Sequence, residues 1–325
     1  MAPVERRAVL GAGLGAGAAL WAGGTRPAWA AGRRRPLGGD LAAARWLFTA
    51  GEYDRLHQVL PVLLAGADEE AVAGPVGAGR AAGAWVLASQ LAVKQGAIEA
   101  AGDFADRAGI AARRSGDPVV LGAAARAAAT PLRRTGRADQ ALRLLREAHV
   151  RLAGGSRPSA AALDTAGMVA LTASYTAAQA RRSSTAREFA ALAEDTALRL
   201  DRHRGRAPAG GELSPAQCVL YRIGVHRELG DVDQALQCAA ALDPAALPTP
   251  ERRARAATDT ARALLAAGDV PAAFAQLRLV ERAAPLEARR PSVRALTAEV
   301  AARRPDLPGV AAFARRTAMA SRRST

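Results

Sequence analysis

The residues that most suggest chemistry open the chain. In "ERRAVLGAGLGAGAAL", Gly11, Gly13 and Ala16 match the G-x-G-x-x-A spacing of a turn that cradles a dinucleotide pyrophosphate. That chemistry needs a buried strand ahead of the first glycine. It also needs a second strand ending in an acid about 20 residues on. Ahead of Gly11 stands "MAPVERRAVL", and "AAGRRRP" falls where the acid should be. The glycines lack the elements that would position them, so no cofactor is expected.

The other candidates are scattered. Cys218 and Cys238 make neither a disulfide framework nor a metal site, and are expected to be buried free thiols. His57, His149, His203 and His226 fit no metal-ligand spacing. Glu69 and Glu70 are expected in a solvated polar loop, Asp231 and Asp233 as helix caps, and His226 on the core side of its helix. Ser183 and Ser184 suit a helix cap as well as a phosphorylation site. There is no nucleophile elbow in "GRAPAG" or "GELSP". No catalytic set converges, and the expectation is a protein without enzymatic activity, metal or cofactor.

The leader has another use. Arg6-Arg7 before Ala8-Val9-Leu10 looks like a twin-arginine export signal, and Ala28-Trp29-Ala30 offers a small-x-small cleavage site after Ala30. The apolar run between them is too short and glycine-rich to span a membrane. Residues 1–37 are therefore either a signal or a connector, expected to be poorly ordered, ahead of a helical domain over 38–325.

The elements that must position anything else are helices. Half of the 325 residues are hydrophobic, but mostly Ala, Leu and Val, and aromatics make up 4%. Ala and Leu lose little rotamer freedom in a helix, and strand-like runs are almost absent. The net charge of +15 is carried by arginine; Lys94 is the single lysine. Arginine spread along helices, without interleaved aromatics to stack on bases, points away from direct nucleic-acid binding. It matches the residue usage of a GC-rich genome.

Glycines punctuate the body: Gly51, Gly96, Gly136, Gly230 and Gly268, with a further turn near Arg181. A glycine there ends one helix in the left-handed conformation before the next begins. Ala101, Ala141, Ala235 and Ala273 follow their turns by five residues, and Pro285 follows Gly268 by seventeen. Seven residues ahead of the turns stand Ala44, Ser89, Ala129, Ser174 and Ala261, with Ile223 the exception. Small side chains at that spacing let paired helices approach closely.

This pattern resembles the tetratricopeptide repeat family, with Trp85 at that family's first-helix aromatic position. The turns are further apart than its repeat of about 34 residues, so the units are degenerate. The resemblance implies an all-α fold, an α-solenoid of about six helix pairs closed by C-terminal capping helices. From about Leu47 onward the chain is also similar to the C-terminal repeat region of actinobacterial XRE-type helix-turn-helix regulators. "RRTGRADQALRLLREA", "LYRIGVHRELGDVDQALQCAAALDPAALPTPERRAR" and "ERAAPLEARRPSVRALT" carry that likeness. In that family a DNA-reading domain precedes the repeats, which receive a signal or partner. No DNA-reading domain is expected from the residues ahead of the repeats here.

The repeat phase puts Arg45, Gln90, Lys94, Arg126, Thr130, Arg133, Arg134, Tyr175, Gln179, Arg227, Thr258 and Arg262 on the concave face. This is a basic groove suited to an acidic or C-terminal-carboxylate peptide held by bidentate arginines. The expected function is a cytoplasmic, transcriptional-regulator-related module that receives a peptide or protein partner. A homodimer is compatible with it. The alternatives are a scaffold exported by the twin-arginine route and a direct DNA-binding regulator.

Overall fold

A computed structural model describes residues 37–154, 157–204 and 211–318. The glycine run, the twin-arginine segment and Ala28-Trp29-Ala30 lie outside them, as does the side chain of His203. The described residues are all α-helical apart from turns and one 3-10 turn at Pro244–Ala246; they contain no strand. No helix among them is long and apolar enough to cross a membrane.

Twelve helices form six consecutive pairs. These are α1 (Leu37–Ala50) with α2 (Tyr53–Glu70), α3 (Pro75–Gln95) with α4 (Ile98–Ser115), and α5 (Pro118–Arg134) with α6 (Ala138–Ala153). Then come α7 (Ala160–Gln179) with α8 (Ser183–Arg204), α9 (Pro215–Leu229) with α10 (Val232–Ala241), and α11 (Pro250–Ala266) with α12 (Val270–Ala283). Three shorter helices follow: α13 (Pro285–Ala288), α14 (Pro291–Arg303) and α15 (Val310–Ala318).

The turns within the pairs behave as the sequence dictates. Gly51, Gly96, Gly136, Gly230 and Gly268 all have φ between 77° and 92°. In the fourth pair Arg181 takes the same left-handed conformation, with φ 59°, and is the one non-glycine to do so among the described residues. Helix starts are equally local. Proline occupies the first turn of α3, α5, α9, α11, α13 and α14, where its missing N–H would have had no helical partner. Ser214, Thr249 and Asp269 accept N–H bonds from Gln217, Arg252 and Ala272 and so cap α9, α11 and α12.

Small residues set the approach of the helices in each pair. Ala44, Ser89, Ala129, Ser174 and Ala261 on first helices are all buried, and Ala101, Ala141, Ala186, Ala235 and Ala273 on second helices are fully buried. In two pairs the contact repeats atom for atom. Ser89 Oγ donates to the Ala101 carbonyl at 2.8 Å, and Ser174 Oγ donates to the Ala186 carbonyl at 2.7 Å. A hydroxyl there satisfies itself on the partner helix without adding bulk.

Each first helix packs on the first helix of the next pair, from α1 through α11. Then α11 packs back on α1. The inner layer therefore closes on itself, with the second helices outside it. The C-terminal segment reinforces the closure: Ala284, just ahead of α13, abuts the Gly51 turn, and Pro291 of α14 abuts the Gly96 turn. The open concave groove expected from the repeat phase is a closed, polar interior.

Three sequence expectations are corrected. Glu70 is the last residue of α2 and pairs with Arg80 at 2.5 Å, so the Glu69-Glu70 pair ends a helix instead of lying in a loop. Asp231 sits at the start of α10, but its side chain bonds no helix N–H; it faces His226 Nδ1 at 3.6 Å. Asp233 lies in the first turn of α10, inside the helix instead of at its cap.

Candidate functional site: the polar inner face

The rarest polar residues of the chain point to the site. The single lysine, Lys94, and all three tyrosines, Tyr53, Tyr175 and Tyr221, lie on the inner face. Two regions can be distinguished there.

The first joins the ends of the ring. Lys94 Nζ at the end of α3 donates to Glu287 Oε1 of α13 at 2.6 Å and to Glu251 Oε1 of α11. Tyr53 OH donates to the same Glu287 oxygen, and Arg290 Nη1 donates to its other oxygen at 2.7 Å. The side chain of Glu287 has no exposure and that of Glu251 has 5%. Burial alone would raise both carboxyl pKa values; Lys94 with Arg290, and Lys94 with Arg252, hold them well below the usual range. Lys94 also lies 5.5 Å from the centre of the Phe48 ring and 5.6 Å from that of Tyr53. This is a latch across 157 residues of sequence.

The second region is a tyrosine–arginine centre built by α5, α7, α9 and α11. Gly224 of α9 makes room for it, since a Cβ there would sit 2.9 Å from the Tyr175 ring. Tyr175 OH, Gln179 Nε2 and Arg227 Nη2 all donate to Glu228 Oε1, at 3.0, 3.1 and 2.5 Å. Arg262 donates to Asp259 Oδ1 at 3.0 Å. Arg255 stacks on Tyr221 at 4.3 Å, donates to its hydroxyl at 3.2 Å and faces Asp259 at 3.6 Å. Burial would raise the Tyr221 phenol, but Arg255, Arg252 and Arg126 outweigh it and bring it down to about 7. Burial first, then Glu287 for Tyr53 and Asp259 for Tyr175, push the other two phenols upward.

Arg133 is the exception in this centre. Its guanidinium lies 5.2 Å from the Tyr175 ring, its Nε is buried without a hydrogen bond, and among the described residues no carboxylate pairs with it. Burial and the like charges of Arg255 and Arg134 pull its pKa below the ordinary arginine value. A half-buried cation whose Nε is shut off from water has given up part of its hydration, and no carboxylate among the described residues replaces it. Bridging the two regions, Glu212 takes Arg126 Nη2 at 2.9 Å and Arg252 Nη2 at 3.4 Å on its Oε2. Half of its side chain is open to solvent.

Several groove residues named from repeat phase do converge here: Arg126, Arg133, Tyr175, Gln179, Arg227 and Arg262. Arg45 lays its guanidinium over Gly83 of α3 and feels the charge of Glu212. Gln90 and Thr130 are half-buried. Lys94 belongs to the latch. Thr258 is a correction, because its buried hydroxyl turns back to the Ala254 carbonyl at 2.8 Å. Arg134 is another, since it stands exposed at the end of α5.

The acids escaped the sequence reading: Glu212, Glu228, Glu251, Asp259 and Glu287, together with Arg252, Arg255 and Arg290. The usable signal was the rarity of tyrosine and lysine in an alanine–arginine chain. Basic groups still outnumber acids on this face, so it attracts anions.

No family model matches the chain, and none of the curated proteins does.

Proposed function

We propose that this protein is a non-enzymatic signal-receiving module, a degenerate tetratricopeptide-like α-solenoid wound until its ends meet, whose inner face takes up the acidic side chains or C-terminal carboxylate of a peptide or protein partner. Its likeness to the repeat region of XRE-type regulators supports that role, and on this reading it works in the cytoplasm. The observation that carries the proposal is Arg133, a half-buried guanidinium with an aromatic neighbour, a buried unpartnered Nε and no carboxylate partner among the described residues. An incoming carboxylate supplies the missing charge-assisted hydrogen bonds, which are among the stronger ones.

The test uses a fluorescein-labelled oligoglutamate peptide and fluorescence anisotropy. Arg133→Glu is expected to abolish binding, while Arg134→Glu, one residue on and exposed, leaves it within a factor of about three. Equal losses in both variants would reduce the interaction to general surface charge and overturn the proposal.

A further inference from the structure

We infer that Arg126 and Arg252 form a distinct carboxylate subsite on the inner face, and that the chain's own Glu212 occupies it until an acidic ligand displaces it. This rests on the function proposed above and deepens it.

Three observations carry the inference. The first is the incomplete contact. Glu212 meets Arg126 only through Nη2, and the adjoining Nε of Arg126 is buried with no partner. A guanidinium edge of this kind matches a carboxylate that takes Nε and Nη2 together. Glu212 leaves half of that edge unused.

The second is surplus charge. Two guanidinium groups meet at one carboxylate oxygen: Arg126 and Arg252 both donate to Glu212 Oε2. The Glu212 carboxyl is accordingly held below its ordinary pKa, first by Arg126, against burial, and then by Arg252. Arg252 also leans on Glu251 at 3.4 Å.

The third is how Glu212 arrives. It comes from the loop between α8 and α9, not from a helix. The backbone N–H groups of Glu212 and Leu213 donate to the two carboxylate oxygens of Asp164 on α7, at 3.2 and 3.0 Å. Leu213 then fills a notch that exists because residue 167 is glycine; a Cβ there would lie 2.2 Å from the leucine. Its anchor is built, yet the carboxylate remains half-exposed and therefore exchangeable.

A resident carboxylate that binds with one oxygen competes with a ligand that would bind with two. Removing its charge frees the subsite without removing the arginines. The experiment measures oligoglutamate affinity by anisotropy for the full chain, Glu212→Gln, Asp164→Ala and Glu212→Gln/Arg126→Gln. Glu212→Gln is expected to bind about tenfold more tightly. Asp164→Ala, which frees the loop but keeps the carboxylate, should gain less, and the double variant should lose the gain. Wild-type affinity in both Glu212→Gln and Asp164→Ala, with binding still abolished by Arg133→Glu, overturns the subsite and leaves the inner-face function standing. Absence of binding in the full chain and in every variant overturns both. If Glu212→Gln fails to fold, as judged by circular dichroism, Asp164→Ala decides alone.

Discussion

The latch and the tyrosine–arginine centre use the same residue types for opposite ends. In the latch Lys94 and Arg290 answer the buried Glu287 and Glu251, and Arg252 is shared between Glu251 and Glu212. In the centre cations are in excess, and Arg133 rests on the face of Tyr175 with no carboxylate partner among the described residues. A closed, balanced ion cluster holds two parts of a chain together. A half-buried, unbalanced cation is a standing demand for an anion. Burial alone does not separate the two roles; charge balance does.

The sharpest break comes at the latch. Lys94→Met leaves two buried carboxylates without their shared cation, and should lower unfolding stability by about 3–5 kcal/mol in chemical denaturation. A loss below about 1 kcal/mol would mean that the ring closes by apolar packing alone.

Acid and base separate the regions next. The latch carboxylates are depressed, so their contribution is complete above the usual carboxylate range and fades as pH falls through it. Tyr221 is also depressed, to about 7 against an ordinary 10. Its contribution is complete only above 10 and is lost as pH falls towards 7. Stability should therefore climb between these values, by at most about 1.4 kcal/mol per pH unit. Tyrosinate absorbance should show one phenol titrating near neutrality, and Tyr221→Phe should remove it. Three phenols titrating together at the ordinary value would show that the arginines do not act on Tyr221.

The third test turns the comparison around. Arg133→Met replaces an uncompensated cation with an apolar chain of similar length. It should raise stability by about 1 kcal/mol while eliminating oligoglutamate binding. Gain and loss in one variant would mark a residue kept for binding at the expense of the fold; a destabilised variant would make Arg133 structural.

The smallest effect is expected at a turn, where the Arg181 guanidinium reaches the Gly230 turn. Arg181→Gly relieves a left-handed non-glycine turn and should stabilise by about 0.5 kcal/mol, because relief of strain exceeds the added freedom of the unfolded chain. It should leave peptide affinity unchanged.

Legibility was uneven for physical reasons. The turns were readable because left-handed backbone selects glycine, and even the missing glycine was located correctly at Arg181. The small contact residues were readable because close helix approach excludes bulk, as Ser89 and Ser174 show. Ala44, Ala129 and Ala261 follow the same rule. About half of the inner face followed from repeat phase. Thr258 did not, because a threonine inside a helix can satisfy its hydroxyl on its own preceding turn. Glu212 was invisible to phase because it comes from a loop.

Sequence by itself settled most of what depends on neighbours along the chain: the helices, the glycine turns and which faces are small, though not the caps expected at Asp231 and Asp233. Only the tertiary structure decided that the two ends meet and that basic residues acquire internal acids. Lys94 and Glu251 find each other across 157 residues, and no local preference encodes such a pairing. It arises because each pair packs on the next until α11 reaches α1. That closure is a property of the whole stack.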